Sequence, residues 1–190
     1  MPPRLILASA SPQRRAILEQ IQVPFEVRVS GADELEDGPA AEVALENAYR
    51  KAAAVARGDD DVPPALPVLG VDTVVSLGAR NFGKAADAGQ AREMLSALAG
   101  RPHLVVSGVC LIDGERVRTA AARTVVEFRA LDAAAIEAYV ATGEWRGRAG
   151  AYAIQGRGAV LVERIEGDYL NVVGLPVSAL IDLAPGLIAS

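Results

Sequence analysis

Lysine is almost missing from this 190-residue sequence: of its 19 basic residues, 17 are Arg, and only Lys51 and Lys84 are Lys. Histidine and cysteine occur once each, as His103 and Cys110. A lone Cys excludes an internal disulfide and a two-cysteine redox pair, and one His with one Cys excludes a Cys/His zinc site within one chain. No run approaches the ~20 apolar residues of a membrane helix. Ala8-Ser9-Ala10 imitates a signal-peptidase site, but the apolar run from Leu5 to Ala8 is too short for the core of a signal peptide, so the expected setting is cytoplasmic. With 24 acidic residues the net charge is −5, which argues against a nucleic-acid or anionic-membrane surface. Long polar tracts are absent and 51% of the residues are apolar, which excludes a disordered chain. What remains for chemistry is carboxylates, Arg, two Lys and hydroxyls.

The length suits one domain, with room for two lobes. Residues 5–9 form a short apolar run. Ser11 and Pro12 then supply a cap and a first-turn proline for a helix running to about residue 20, with Ile17, Leu18 and Ile21 on its buried stripe. Residues 25–29 alternate as a strand and lead into an acidic loop at 33–38. Residues 40–57 lack Gly and Pro and carry a Glu46/Arg50 pair, which predicts a long helix. A charged, Pro-rich loop at 59–67 follows, then a strand at 68–77. Asp87 caps a helix with the stripe Ala91, Met94, Leu95 and Leu98, and Gly100 ends it. Residues 104–112 and 116–128 read as two strands of a hairpin turning at Asp113-Gly114. Asp132 caps a further helix with Ile136, Tyr139 and Val140 inward, closed by Gly143. A Gly-rich loop at 143–158, a strand at 159–165 and a helix at 176–183 complete an α/β fold, a mixed twisted sheet with flanking helices.

Four places can carry chemistry. Arg14 and Arg15 stand in a first helical turn, where cations oppose the helix dipole. A phosphate held by the Ser9 and Ser11 hydroxyls, free backbone N–H groups and a guanidinium would resolve that conflict; a capped helix with two solvated arginines is the alternative. Lys51 lies on the stripe Ala44, Asn47, Ala48, Lys51, Ala52, Val55, either snorkelling to water or serving as a compact ammonium that Arg cannot replace. Asp72, on a β-branched strand, needs a partner: a metal, a cation or backbone N–H groups. Residues 78–85 match G-x-x-x-x-G-K, but Ala85 replaces the Ser or Thr that binds magnesium, so a turn bringing Lys84 near the Asp72 strand is the better reading. The Gly-punctuated segments 150–156 and 167–176 suit tight turns or close approach of a ligand. Cys110 reads as a buried strand residue, His103 as an ordinary strand-start residue, and Asp59-Asp60-Asp61 as a solvated loop.

In this order, Ser9-Ala10-Ser11-Pro12-Gln13-Arg14-Arg15, Asp33-Glu34, Glu46-Asn47-Ala48 with Lys51, Gly70-Val71-Asp72-Thr73, Gly83-Lys84, and residues 149–156 and 167–176 resemble the Maf family. Its members are known as septum-formation inhibitors and as nucleoside triphosphate pyrophosphatases. The resemblance spans essentially residues 1–190 and implies an elongated, two-lobed single domain similar to the inosine triphosphatase fold. It also implies metal-dependent hydrolysis of a nucleoside triphosphate to the monophosphate and pyrophosphate, in a house-cleaning or division-arrest role, and a homodimer. By position Asp72 matches the family's proton acceptor, while Gln13, Thr73 and Gln155 fall at its specificity positions. Thr73 and Gln155 resemble the subgroup acting on dTTP and UTP; Gln13 departs from its usual Arg and equally from the Trp of the 7-methyl-GTP subgroup.

On this reading Asp72 and Glu34 bind the metal and orient or deprotonate water, their roles being interchangeable. Arg14, Lys51 and Lys84 hold the triphosphate, Ser9 and Ser11 donate to phosphate, and Thr73 and Gln155 read base or sugar. A carboxylate site favours Mg²⁺ or Mn²⁺ over zinc. A nucleotide-sensing division regulator and a 7-methyl-GTP pyrophosphatase are the competing functions.

Overall fold

Two long β-branched runs, each interrupted by a glycine, make the centre of the sheet: β3 (Val68–Leu77) and β5 (Pro102–Asp113). A computed structural model describes residues 2–57 and 66–187, so the Asp59-Asp60-Asp61 run lies outside the described residues. Strands β1 (Leu5–Leu7), β2 (Phe25–Val27), β6 (Arg116–Phe128) and β7 (Val162–Glu166) join the central pair in the order β2-β1-β3-β5-β6-β7. β1 runs parallel to β2 and β3, and the other pairings are antiparallel, so the sheet is mixed as expected.

The long helix α2 (Ala40–Arg57) lies directly on the central strands because two glycines let it. A Cβ on Gly70 would stand 2.0 Å from the Ala48 carbonyl oxygen, and one on Gly108 would stand 2.2 Å from that of Ala44. Backbone therefore meets backbone, with the helix contributing the small residues Ala44, Ala48 and Ala52, all fully buried. This close approach brings the polar members of the same stripe, Asn47 and Lys51, down onto β3.

Beside the small clusters under α2, two larger apolar cores share the strands. One gathers α1 (Pro12–Gln20) and α6 (Val177–Leu183) around Leu7, Leu18, Leu69, Val71, Leu111 and Leu180. The other gathers α3 (Ala88–Leu98) and α4 (Ala133–Val140) around Val75, Phe82, Leu95, Phe128, Tyr139 and Trp145. β3 passes from the first to the second through Asp72 and Thr73, paired in register with Gly108 and Ser107. On its other edge, β1 reaches only Val68 and Leu69, and a short β4 (Arg80–Phe82) covers only Val75 to Leu77. Among the described residues, no strand pairs with residues 70–74 on that edge. Side chains from both faces of β3 can open into one cleft at that gap.

The caps at Ser11, Asp87 and Asp132 and the buried stripes of α3 and α4 are as expected. One segment takes its expected form, and two differ. The 78–85 stretch is the expected turn: Gly78 at φ +61 leads the chain into β4, and three residues separate Lys84 from α3, so no helix starts on the Gly83-Lys84 pair as a phosphate-binding P-loop requires. Residues 156–161 form a 3-10 turn before β7, because Gly158 packs where a Cβ would lie 1.8 Å from the Ala153 carbonyl oxygen. The segment expected as loop at 167–176 contains α5 (Tyr169–Val173), capped by the Asp168 side chain accepting from the Leu170 N–H. Its five residues are too few to show a helical period.

Candidate active site

The ammonium of Lys51 stands between two carboxylates. Its Nζ lies 2.6 Å from Asp72 Oδ1 and 2.7 Å from Glu34 Oε1. Asn47, one turn earlier on α2, donates through Nδ2 to Asp72 Oδ2 at 3.1 Å. The Asn47 amide is itself fixed, accepting from the Leu35 N–H at 2.7 Å and donating to the Leu35 carbonyl at 2.9 Å. Both oxygens of Asp72 are therefore held by donors from α2, and the Glu34 loop is stitched to the same helix. Lys84 adds a second ammonium 3.7 Å from Glu34 Oε1, with more than half of its side chain in solvent. Burial raises the Glu34 pKa, but the bond and charge of Lys51, then the charges of Lys84 and Arg14, outweigh it and hold the group below its ordinary value.

Across the gap, Arg14 is anchored by acceptors. Its Nε donates to the Gly174 carbonyl at 2.9 Å, Nη1 to Ser9 Oγ at 2.9 Å and Nη2 to Thr73 Oγ1 at 3.2 Å. Burial lowers its pKa, opposed by the charges of Asp72 and Glu34; an arginine still stays protonated. Ser9 Oγ also accepts from the Ser11 N–H at 3.2 Å, so its own proton remains for a ligand. The Ser11 hydroxyl caps α1 and donates to Gln13 Oε1 at 3.1 Å.

Apart from Asn47, which lies behind Asp72, these side chains line one cleft of about 430 Å³, which Gln13, Gln155, Val75, Val105 and Tyr152 also border. All ten side chains expected from the sequence to form the site line it: Ser9, Ser11, Gln13, Arg14, Glu34, Lys51, Asp72, Thr73, Lys84 and Gln155. Reasoning from sequence did not single out Arg146 and Arg148, which border the cleft from the 143–150 loop, nor the clamping role of Asn47. An amide four residues before a buried lysine on one helical stripe was the signal for Asn47. Among the described residues no group of three or more His, Cys, Asp or Glu gathers. The two carboxylates converge on the Lys51 ammonium, so a cation would have to use their remaining lone pairs; as an all-oxygen pair they favour a hard cation that retains water and phosphate ligands over zinc.

His103 is more than the ordinary strand-start residue expected. It is buried behind the cleft wall, its Nε2 3.0 Å from the Tyr152 hydroxyl and its ring edge-on to Phe128. Burial outweighs a bond to the Arg101 carbonyl and pushes its pKa down to about 4. An unfolded histidine titrates near 6.5, so between those values the unfolded chain binds a proton that the folded one refuses. Stability is therefore expected to fall as pH drops from 6.5 to 4, by about 3 kcal/mol from this residue. Urea unfolding across that range should show the loss in the wild type, and His103→Gln should flatten it by that amount.

The sequence matches the family described as Maf-like protein over residues 4–186. It is 46% identical over 182 residues to a dTTP/UTP pyrophosphatase of Gloeobacter violaceus, covering 95% of this chain and 94% of that protein. It is 43% identical over 180 residues to a dTTP/UTP pyrophosphatase of Pyrococcus furiosus, covering 95% and 93%. A dTTP/UTP pyrophosphatase of Pelotomaculum thermopropionicum is 45% identical over 183 residues, with 94% of each chain covered. Among solved structures, a nucleoside-triphosphatase / dITP/XTP pyrophosphatase from Mycobacterium abscessus aligns with a TM-score of 0.46 and 17% identity, covering 68% of this chain and 76% of that one. No helix among the described residues is long and apolar enough to cross a membrane. The family match takes in every element that shapes the cleft, from β1 through α6, and the chain belongs to the Maf family.

Proposed function

We propose that this chain hydrolyses nucleoside triphosphates of the dTTP and UTP type to the monophosphate and pyrophosphate. The observation that carries the reading is the gathering of two carboxylates with Lys51, Lys84 and Arg14 in one cleft at the gap in the sheet. A water oxygen forms a bond to the α-phosphorus, the bond from that phosphorus to the α,β-bridging oxygen breaks, and pyrophosphate leaves with the electron pair. Asp72 takes the water's proton; Asn47 and Lys51 fix the direction of its oxygens, which is what a general base requires. Asp72 and Glu34 would hold a divalent cation, Mg²⁺ or Mn²⁺, which supplies charge neutralisation at phosphate oxygens. Lys84, paired only loosely with Glu34 and mostly exposed, meets the departing polyanion, and the unused Ser9 proton donates to phosphate. Lys51 keeps two like charges together that would otherwise repel. Thr73 and Gln155 face the base, over a wall of Val75, Val105 and Tyr152.

The test is a substrate panel with the purified protein: dTTP, UTP, CTP, the purine triphosphates and 7-methyl-GTP, each with Mg²⁺ or Mn²⁺, and products separated by chromatography. Monophosphate and pyrophosphate from dTTP and UTP are expected. Diphosphate with inorganic phosphate as the products, or no turnover of either nucleotide, would overturn the proposal.

A further inference from the structure

We infer that Ser107, which does not border the cleft, selects the base by fixing where the hydroxyl proton of Thr73 points; this rests on the pyrimidine triphosphate reading above. Ser107 has no exposed surface and pairs with Thr73 in the β3–β5 register, their hydroxyl oxygens 2.9 Å apart. Distance alone does not say which hydroxyl donates. The groups at the two ends of the chain do. At one end the Arg14 guanidinium can only donate, so Thr73 Oγ1 accepts from Nη2. At the other end the Asn171 backbone carbonyl can only accept, so the single proton of Ser107 goes to it, at 3.4 Å. Ser107 then has no proton left for Thr73, and Thr73 must donate to Ser107.

The opposite assignment would leave the carbonyl of Asn171, a residue with no exposed surface, without its Ser107 donor, a costly arrangement for a buried backbone group. That carbonyl is held in place by its own side chain. Asn171 Nδ2 donates to the Val105 carbonyl at 3.0 Å and to Thr124 Oγ1 at 2.9 Å, pinning α5 to the sheet.

One proton direction thus runs from Arg14 through Thr73 and Ser107 to Asn171. Thr73 lines the cleft with its proton turned away, so it offers a ligand only a lone pair. Uracil and thymine share an N3–H that such a lone pair accepts. Cytosine has a lone pair at N3, and two lone pairs repel. Recognition by an acceptor-only hydroxyl also explains why one site would take dTTP and UTP alike: the 5-methyl and the 2′-hydroxyl, which distinguish them, are not what it reads. Ser107 is accordingly a positioning residue for base choice.

The experiment compares kcat/KM for UTP and CTP in the full chain of the wild type, Ser107→Ala, Thr73→Val and the double variant. The wild type should prefer UTP. Removing Ser107 frees the Thr73 proton to turn into the cleft and donate to cytosine N3, and the UTP:CTP preference should narrow about tenfold. In the Thr73→Val background the same change should leave that ratio where Thr73→Val alone put it. Should Ser107→Ala fail to fold, Ser107→Cys keeps the volume with a weak donor and acceptor and should narrow the preference in the same direction. Equal loss on both nucleotides, an unchanged ratio, or the same change of ratio with and without Thr73 would overturn the inference. So would a wild type indifferent between UTP and CTP, which leaves the pyrophosphatase reading standing. A wild type that turns over neither dTTP nor UTP would overturn that reading and the inference with it.

Discussion

Lys51→Met is expected to cost about 3–5 kcal/mol of stability, because it breaks a buried ion pair and leaves the Asp72 carboxylate uncompensated in the interior, with the half-exposed Glu34 carboxylate beside it. In a chain of this size that corresponds to a fall in melting temperature on the order of 10 °C. The methionine stem keeps the apolar contacts of the lysine along the α2 stripe, so the loss reads the charge and not a cavity. Activity should move as well as stability. Glu34 loses the bond and the charge that do most to lower its pKa, while the burial that raises it remains. A carboxylate whose pKa is lowered in the folded state works down to more acid pH; without Lys51 the acid limb of the kcat/KM profile should shift upward in pH. Lys51→Arg should not rescue the site, since a planar fork cannot sit 2.6 Å and 2.7 Å from two oxygens in the place of one tetrahedral ammonium. A Lys51→Met protein that melts with the wild type and keeps its pH profile would show that the bridge does not organise the site.

The position of Lys51 also shows how far the sequence could be read. Helical spacing put Lys51 and Asn47 on the apolar stripe of α2, and alternation put Asp72 and Gly70 on one face of β3; both placements are what the structure has. That the two faces meet follows from the pair Gly70 and Gly108, and Gly108 sits 38 residues along the chain from Gly70, in register only once β3 and β5 pair. No local pattern reports a long-range register. The same limit hid the clamp on Asn47, whose partner Leu35 lies in an acidic loop with no period to read. Arg14 was legible as an anomaly of the helix dipole, but its acceptors, Gly174 and Thr73, arrive from elements 160 and 59 residues away. Short elements were illegible for another reason: β4 and α5 span three and five residues, less than one useful period of either pattern.

Asp72→Asn, the change with the greatest expected effect on turnover, separates the base from the scaffold that holds it. The substitution keeps the shape of the side chain and removes its negative charge. Asp72 accepts from Lys51 on one oxygen and from Asn47 on the other, and Asn47 cannot turn over because Leu35 holds both ends of its amide. An asparagine at position 72 has one oxygen for two fixed donors. The charged ammonium takes it, and the new amide nitrogen is set against Asn47 Nδ2, donor to donor, at a cost of about 1–3 kcal/mol. That is small enough for the protein to stay folded at room temperature. Catalysis should suffer far more: a positioned general base contributes on the order of 10²–10⁴ in rate, and an amide can neither take the proton nor hold a divalent cation as a carboxylate does. Pyrophosphate release from UTP should fall at least a thousandfold, on the scale expected for such a base. Binding of a UTP analogue with a non-hydrolysable α,β-bridge, measured by calorimetry, should persist through Arg14, Lys84 and Ser9. Retention of a tenth or more of the wild-type rate would remove Asp72 from the role of base and leave Glu34, the other carboxylate on Lys51, as the group to test next.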